Sequence, residues 1–152
     1  MWFDTTSGNY KFTIMFTPID MNDELLNRLT AHDIDVVRIH DAGNYEKECV
    51  VLQANKDIDL SDYMLMCMIE GADGLPDYDK CRLLTFDCID VKRGNRVCIY
   101  SCHGEDTDGV SPKTGKHYDI LFWNLDHTVW DIPHGSVEIM ERGNSYSVVF
   151  DR

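Results

Sequence analysis

Basic residues are scarce in the first half of this chain. Residues 1–79 hold 5 Lys and Arg against 16 Asp and Glu, whereas residues 80–152 hold 9 against 11, and the formal net charge is −13. Such a field repels phosphates, so it argues against direct binding to nucleic acid or to an anionic membrane surface. The partner expected from charge alone is a basic protein surface.

Signals for export and membrane insertion are also lacking. No basic residue precedes Lys11, and the longest uncharged apolar run, residues 63–69, is too short to cross a bilayer. The six cysteines are therefore expected to be reduced thiols rather than a secreted disulfide framework. These absences predict a cytoplasmic protein.

Disorder is excluded by what the chain contains. Apolar residues make up 43% of 152 residues, enough to bury a core of ordinary size. We expect a single globular domain over residues 1–152. The glycine-rich and acidic segment 71–79 is the clearest break in the pattern, and it predicts a seam between two subdomains.

The first half reads as a mixture of strands and helices. Residues 10–16 alternate as a strand does, and residues 20–32 have an acidic start and an apolar stripe typical of a helix. Residues 35–40 and 48–54 predict a hairpin across a turn-rich segment. For residues 60–70 we expect a buried helix because Met, Leu and Cys are not β-branched, with a central strand as the alternative.

The second half reads as strands. A tight turn at residues 92–95 predicts a hairpin of segments 81–91 and 96–102, with Cys88 opposite Ile99. One face of this hairpin would bury five residues: Leu84, Phe86, Cys88, Val97 and Ile99.

The rest of the second half completes the predicted order. Residues 103–117 predict a long polar loop, and residues 118–125 a strand. A terminal hairpin of residues 136–141 and 145–150 follows from the Gly143-Asn144 turn. The resulting order, βαββα followed by antiparallel strands, predicts an α+β fold with a ferredoxin-like first half.

Two segments resemble phosphate-binding and calcium-binding motifs, but neither has the required residues at the required spacing. Segment 109–116 has one residue too many for a phosphate loop, and segment 104–109 lacks essential oxygen ligands of a calcium loop. The remaining metal hypothesis is zinc on Cys102, His103 and His117, because thiolate and imidazole are its preferred ligands.

The acidic residues themselves are the main candidate site. Carboxylates spaced along helices and turns imitate phosphate charge, and electrostatic steering makes such docking fast and salt-sensitive. The predicted partner-binding residues are Asp20, Asp23, Glu24, Asp33, Asp35, Asp73, Asp77 and Asp79. We expect a non-catalytic inhibitor that occupies a basic, nucleic-acid-binding surface. Small phage and mobile-element inhibitors act in this way, a comparison based on size and charge alone.

One alternative belongs to a different functional class. Long polar loops often carry function, so loop 103–117 is also consistent with a small hydrolase or ligand-binding domain. Its site would contain Cys102, His103 and His117, with or without zinc.

Overall fold

The computed structural model describes residues 2–7, 10–15, 32–131 and 135–143. Twelve strands lie in these ranges. They are β1 Trp2–Ser7, β2 Tyr10–Met15, β3 Ile34–His40, β4 Cys49–Ala54, β5 Ile58–Asp59, β6 Tyr63–Ile69, β7 Arg82–Thr85, β8 Asp90–Val91, β9 Arg96–Tyr100, β10 Thr107–Val110, β11 His117–Phe122 and β12 Gly135–Glu141. The strand predicted at residues 10–16 is confirmed as β2, which pairs antiparallel with β1.

The predicted α+β class and its ferredoxin-like order are wrong. Within the described residues the chain is almost entirely β, and its only helical segment is a single 3-10 turn, Leu60–Asp62. The helix predicted at residues 20–32 lies outside the described residues except for His32. The helix predicted at residues 60–70 is replaced by that turn and by β6.

Capping, burial and strand pairing explain why residues 63–69 form strand β6 instead of a helix. Asp59 caps the short turn, its Oδ1 accepting a hydrogen bond from the Ser61 amide at 2.9 Å. From Tyr63 onward, buried and half-buried residues alternate along the strand. Antiparallel partners on both sides, β7 and β12, satisfy its backbone groups. Strand pairing and burial therefore override the intrinsic helix preference of Met and Leu.

The terminal hairpin is confirmed in its first strand. Strand β12 covers the predicted residues 136–141 and buries Val137 and Ile139. Its described partner is β6, with Ile139 opposite Leu65. The predicted second strand, residues 145–150, lies outside the described residues.

The larger sheet has five strands in the order β10-β11-β9-β4-β3. Its pairs are antiparallel except for β9 and β11, which run parallel. The predicted hairpin of residues 35–40 and 48–54 is confirmed as β3 and β4, and a bulge at Val37 shifts their register. Within the predicted loop 103–117, β10 forms an additional strand beside β11.

The hairpin predicted from residues 81–102 is wrong, although its turn is right. The Asn95 amide donates to the Lys92 carbonyl at 2.9 Å, and Gly94 has φ +83°. The flanking strands nevertheless pair elsewhere: β7 with β6, β8 with β5, and β9 with β4 and β11. Cys88 is consequently exposed instead of buried opposite Ile99.

One hydrophobic cluster lies between the sheets. It includes Val50, Leu52 and Ile99 from the five-stranded sheet, and Leu65 and Val137 from the three-stranded sheet β12-β6-β7. Segment 71–79 is part of the connection between β6 and β7. The single-domain organisation and the seam at 71–79 stay predictions. In the part of the chain that the structure describes, no helix is long and apolar enough to cross a membrane.

Candidate functional site

The predicted acidic residues that the structure describes lie at or near the start of β3 and on the connection between β6 and β7. Asp20, Asp23 and Glu24 lie outside the described residues. Asp33 is half-buried and pairs with the Lys56 ammonium at 2.7 Å. Asp35 is exposed on β3, where its Oδ2 accepts a hydrogen bond from the Asn55 side chain at 2.8 Å.

Asp73, Asp77 and Asp79 lie together on residues 70–81, which we call the acidic loop. Backbone hydrogen bonds give this loop its shape: Gly71 donates to the Leu75 carbonyl at 2.7 Å, and Asp77 donates to the Ile69 carbonyl at 2.7 Å. Asp77 also pairs with Lys80 at 3.0 Å, and that hydrogen bond lowers the pKa of the Asp77 carboxyl. Asp73 and Asp79 are exposed.

The acidic loop also presents two large apolar side chains that sequence reasoning missed. Leu75 is 63% exposed and Tyr78 is 77% exposed. Neither residue belongs to the regular spacing of apolar residues that indicates an amphipathic helix or strand, so periodicity alone does not identify them. Their position in the sequence does indicate a surface role, because both residues lie among Asp, Gly and Pro residues, where no buried core is expected.

The predicted zinc ligands are not brought together. Cys102 is buried, His103 is exposed and contacts Asp126 at 2.6 Å, and the His117 ring contacts Asp108 at 2.8 Å. The described residues contain no group of three or more His, Cys, Asp or Glu side chains placed to hold a metal ion.

His117 lies instead at the margin of a cleft of about 480 Å³ on the outer face of the five-stranded sheet. Strands β3, β4, β9 and β11 form its floor, and segment 111–116 lies over one end. Register builds the floor: Arg38, Val51, Cys98 and Ile120 are successive neighbours across the four strands.

Two further rows of the same face complete the cleft. His40, Cys49 and Tyr100 form one row, and Gln53, Arg96 and Tyr118 form the other. At one end the Lys116 ammonium lies against Gly94, which has no side chain to block it. Arg96 Nε donates a hydrogen bond to Gln53 Oε1 at 3.2 Å.

Charge distribution separates this cleft from the rest of the molecule. Its lining contains Arg38, Arg96, Lys116, His40 and His117, and no Asp or Glu. In the whole chain, more than one residue in six is acidic. The cleft thus has a cationic lining in an acidic protein, although His117 at its margin is paired with Asp108.

The thiols of the cleft floor add no negative charge. Burial, and then the neighbouring Cys98 thiol, raises the pKa of Cys49 to about 11. Burial likewise raises the pKa of Cys98 and of the Tyr100 hydroxyl. All three groups are therefore neutral at pH 7.

No family model, curated protein or solved structure matches the chain.

Proposed function

We propose that this protein is a non-catalytic interaction protein that docks its acidic loop on a basic surface of a larger protein. The observation that carries the proposal is the exposure of Leu75 and Tyr78 between the carboxylates of Asp73, Asp77 and Asp79. Protein interfaces commonly have an apolar and aromatic centre with a polar rim, and Tyr is enriched among their strongest contacts.

The two kinds of side chain have different roles in this docking. The carboxylates steer the encounter with a positive surface and set its salt dependence. Tyr78 and Leu75 supply affinity when they become buried against the partner. The complementary surface is an apolar recess with a rim of Lys and Arg, which is the charge pattern of a site that holds nucleic acid. Occupation of that site would inhibit the partner.

The hydrogen bonds within the acidic loop support the same proposal. A loop held by the Gly71–Leu75 and Asp77–Ile69 backbone contacts loses little conformational freedom on binding. The cost of ordering an interface is therefore small. Asp20, Asp23 and Glu24 stay part of the proposed acidic docking set.

The test uses affinity capture from the native host lysate at low and high salt with two variants. Tyr78→Ala removes the apolar contact while retaining every backbone hydrogen bond of the loop. The triple reversal of Asp73, Asp77 and Asp79 to Lys changes the charge at these three positions from negative to positive. We expect Tyr78→Ala to release the partner at both salt concentrations, and the reversal to slow association and flatten its salt dependence.

A matched control separates local from global charge. Reversing Glu46, Asp87 and Glu105 to Lys changes the net charge equally at exposed positions outside the acidic loop. This control should capture the same partner as the wild type. The proposal fails if the two triple reversals behave alike, or if Tyr78→Ala captures the partner as well as the wild type does.

A further inference from the structure

We infer that the cleft on the five-stranded sheet binds a small organic anion, a phosphate or carboxylate attached to an apolar body. This binding site is separate from the acidic loop and does not depend on the docking proposed for it.

The cations of the cleft are available to a ligand. Ion pairs among the described residues involve Lys56, Lys80, Lys92, His103 and His117. Arg38, Arg96 and Lys116 have no carboxylate partner there, although acids outnumber bases almost two to one in the chain. Arg96 uses Nε on Gln53, which leaves its terminal nitrogens to bind an anion. Guanidinium groups match the oxygens of carboxylate and phosphate in two-point hydrogen bonds.

The floor of the cleft specifies the rest of the ligand. Val51, Cys98 and Ile120 form a continuous apolar row across three strands, and burial raises the pKa of the Cys98 thiol, which keeps this row uncharged. An inorganic ion would leave that surface unused. A ligand with an apolar or aromatic portion covers it while its anionic group reaches Arg38 or Arg96.

Size and shape agree with a small molecule. A volume of about 480 Å³ falls within the range of roughly 300–1,000 Å³ for small-ligand sites. Such sites are mostly apolar with a few convergent polar groups, as found here. The turn at residues 111–116 is closed by hydrogen bonds between Ser111 and Lys116 at 2.9 Å and between Gly115 and Ser111 at 2.8 Å, which fix the backbone at Lys116. The Lys116 ammonium lies against Gly94 at one end of the cleft.

Phenyl phosphate is a suitable probe because it combines an anionic group with an apolar ring. Two-dimensional amide NMR of the full chain should show saturable shifts at Val51, Cys98 and Ile120. We expect its affinity to exceed those of inorganic phosphate and of benzyl alcohol by about tenfold or more. Benzoate, titrated in parallel, distinguishes a carboxylate from a phosphate preference, and saturable binding of either anion at this floor supports the inference.

Variants on separate elements locate the charge that matters. Arg38→Gln and Arg96→Gln should each weaken phenyl phosphate binding by about tenfold, the usual scale for losing a hydrogen bond to a charged group. Arg142→Gln is the matched control, since Arg142 is exposed outside the cleft. Circular dichroism and thermal melting verify that each variant is folded. If Arg38→Gln or Arg96→Gln does not fold, Lys116→Gln, on the turn at residues 111–116, tests whether the cations of the cleft bind the probe.

Two results would overturn the inference. One is that neither phenyl phosphate nor benzoate binds more tightly than inorganic phosphate and benzyl alcohol do. The other is equal affinity in the folded cleft variants and in Arg142→Gln, which would mean that the probe responds to net charge rather than to this cleft.

Discussion

The acidic loop and the cleft of the five-stranded sheet differ in charge and in construction. Backbone hydrogen bonds within residues 70–81 shape the loop, which carries exposed carboxylates beside Leu75 and Tyr78. The cleft is assembled by register across β3, β4, β9 and β11, and it brings Arg38, Arg96 and Lys116, which have no carboxylate partner among the described residues, close to neutral thiols. The net charge of −13 for the whole chain agrees in sign with the acidic loop but gives no indication of the cationic cleft.

Both regions rest on the same core, so a cavity there should disturb both at once. Leu65 is fully buried in β6, and Leu65→Ala should lower the free energy of unfolding by about 2–5 kcal/mol through lost contacts and an unfilled cavity. The control is Leu83→Ala on neighbouring β7, where the side chain is 51% exposed. We expect this substitution to lower the free energy of unfolding by about 0.5 kcal/mol or less. Denaturant titration measures both. Equal midpoints would contradict the assignment of β6 as a core strand.

Glu48 offers a way to weaken the cleft while sparing the loop. Its buried carboxylate accepts the Val129 amide at 2.7 Å and the Gly43 amide at 3.0 Å, beside the turn between β3 and β4. Glu48→Ala leaves the buried Val129 amide without a partner and should cost about 1–3 kcal/mol of unfolding free energy. It should also weaken phenyl phosphate binding.

Exposed Glu46 is the control for this substitution. Glu46→Ala should change the unfolding free energy by at most about 0.5 kcal/mol. Finding both variants equally stable by denaturant titration would show that the Glu48 hydrogen bonds do not hold this side of the cleft together.

Thiol reactivity should distinguish the cleft floor from open surface. Cys88 is exposed, whereas Cys49 is buried with a pKa of about 11. Iodoacetamide near pH 8 reacts with the thiolate, so Cys88 should be alkylated at least about tenfold faster than Cys49. Peptide mass spectrometry of timed samples measures the two rates. Comparable rates would mean that the cleft floor is open to solvent or ionised.

The smallest expected effect is the titration of His117. Its hydrogen bond with Asp108, opposed by burial and assisted by Asp119 at 3.8 Å, raises the pKa of the ring. Because the folded pKa is the higher one, this stabilisation is complete below the ordinary value of about 6.5 and is lost as pH rises through the raised pKa. NMR should detect the raised pKa, and Asp108→Asn should lower it. An unchanged pKa in that variant would remove Asp108 as its cause.

Sequence patterns predicted turns and hairpins between segments that are close in sequence. They did not predict the pairing of strands that are far apart in sequence. The β3–β4 hairpin has a short turn-rich connection, and the turn at residues 92–95 was also recognised. One of the two partners of β9 is β4, more than forty residues earlier, and no local pattern encodes this pairing. In β6 every residue is apolar, so the alternation that marks a strand is visible only in its burial.

The two candidate sites were predictable to different degrees. Counting charges found Asp73, Asp77 and Asp79 because they are close in sequence. The cleft was missed, since Arg38, Arg96 and Lys116 meet only after β3, β9 and the turn before β11 are aligned. Of the residues proposed near loop 103–117, His117 does line that cleft, whereas Cys102 and His103 do not.

The position of β6 has a consequence during synthesis. One neighbour, β7, follows it directly, but β12 emerges some seventy residues later. Until then the nascent chain carries an uncharged seven-residue apolar strand with an open edge, the kind of segment that pairs with other chains. The three-stranded sheet therefore cannot be completed before residues 135–141 are translated, and we expect a chain that ends before them to aggregate more readily than the full chain.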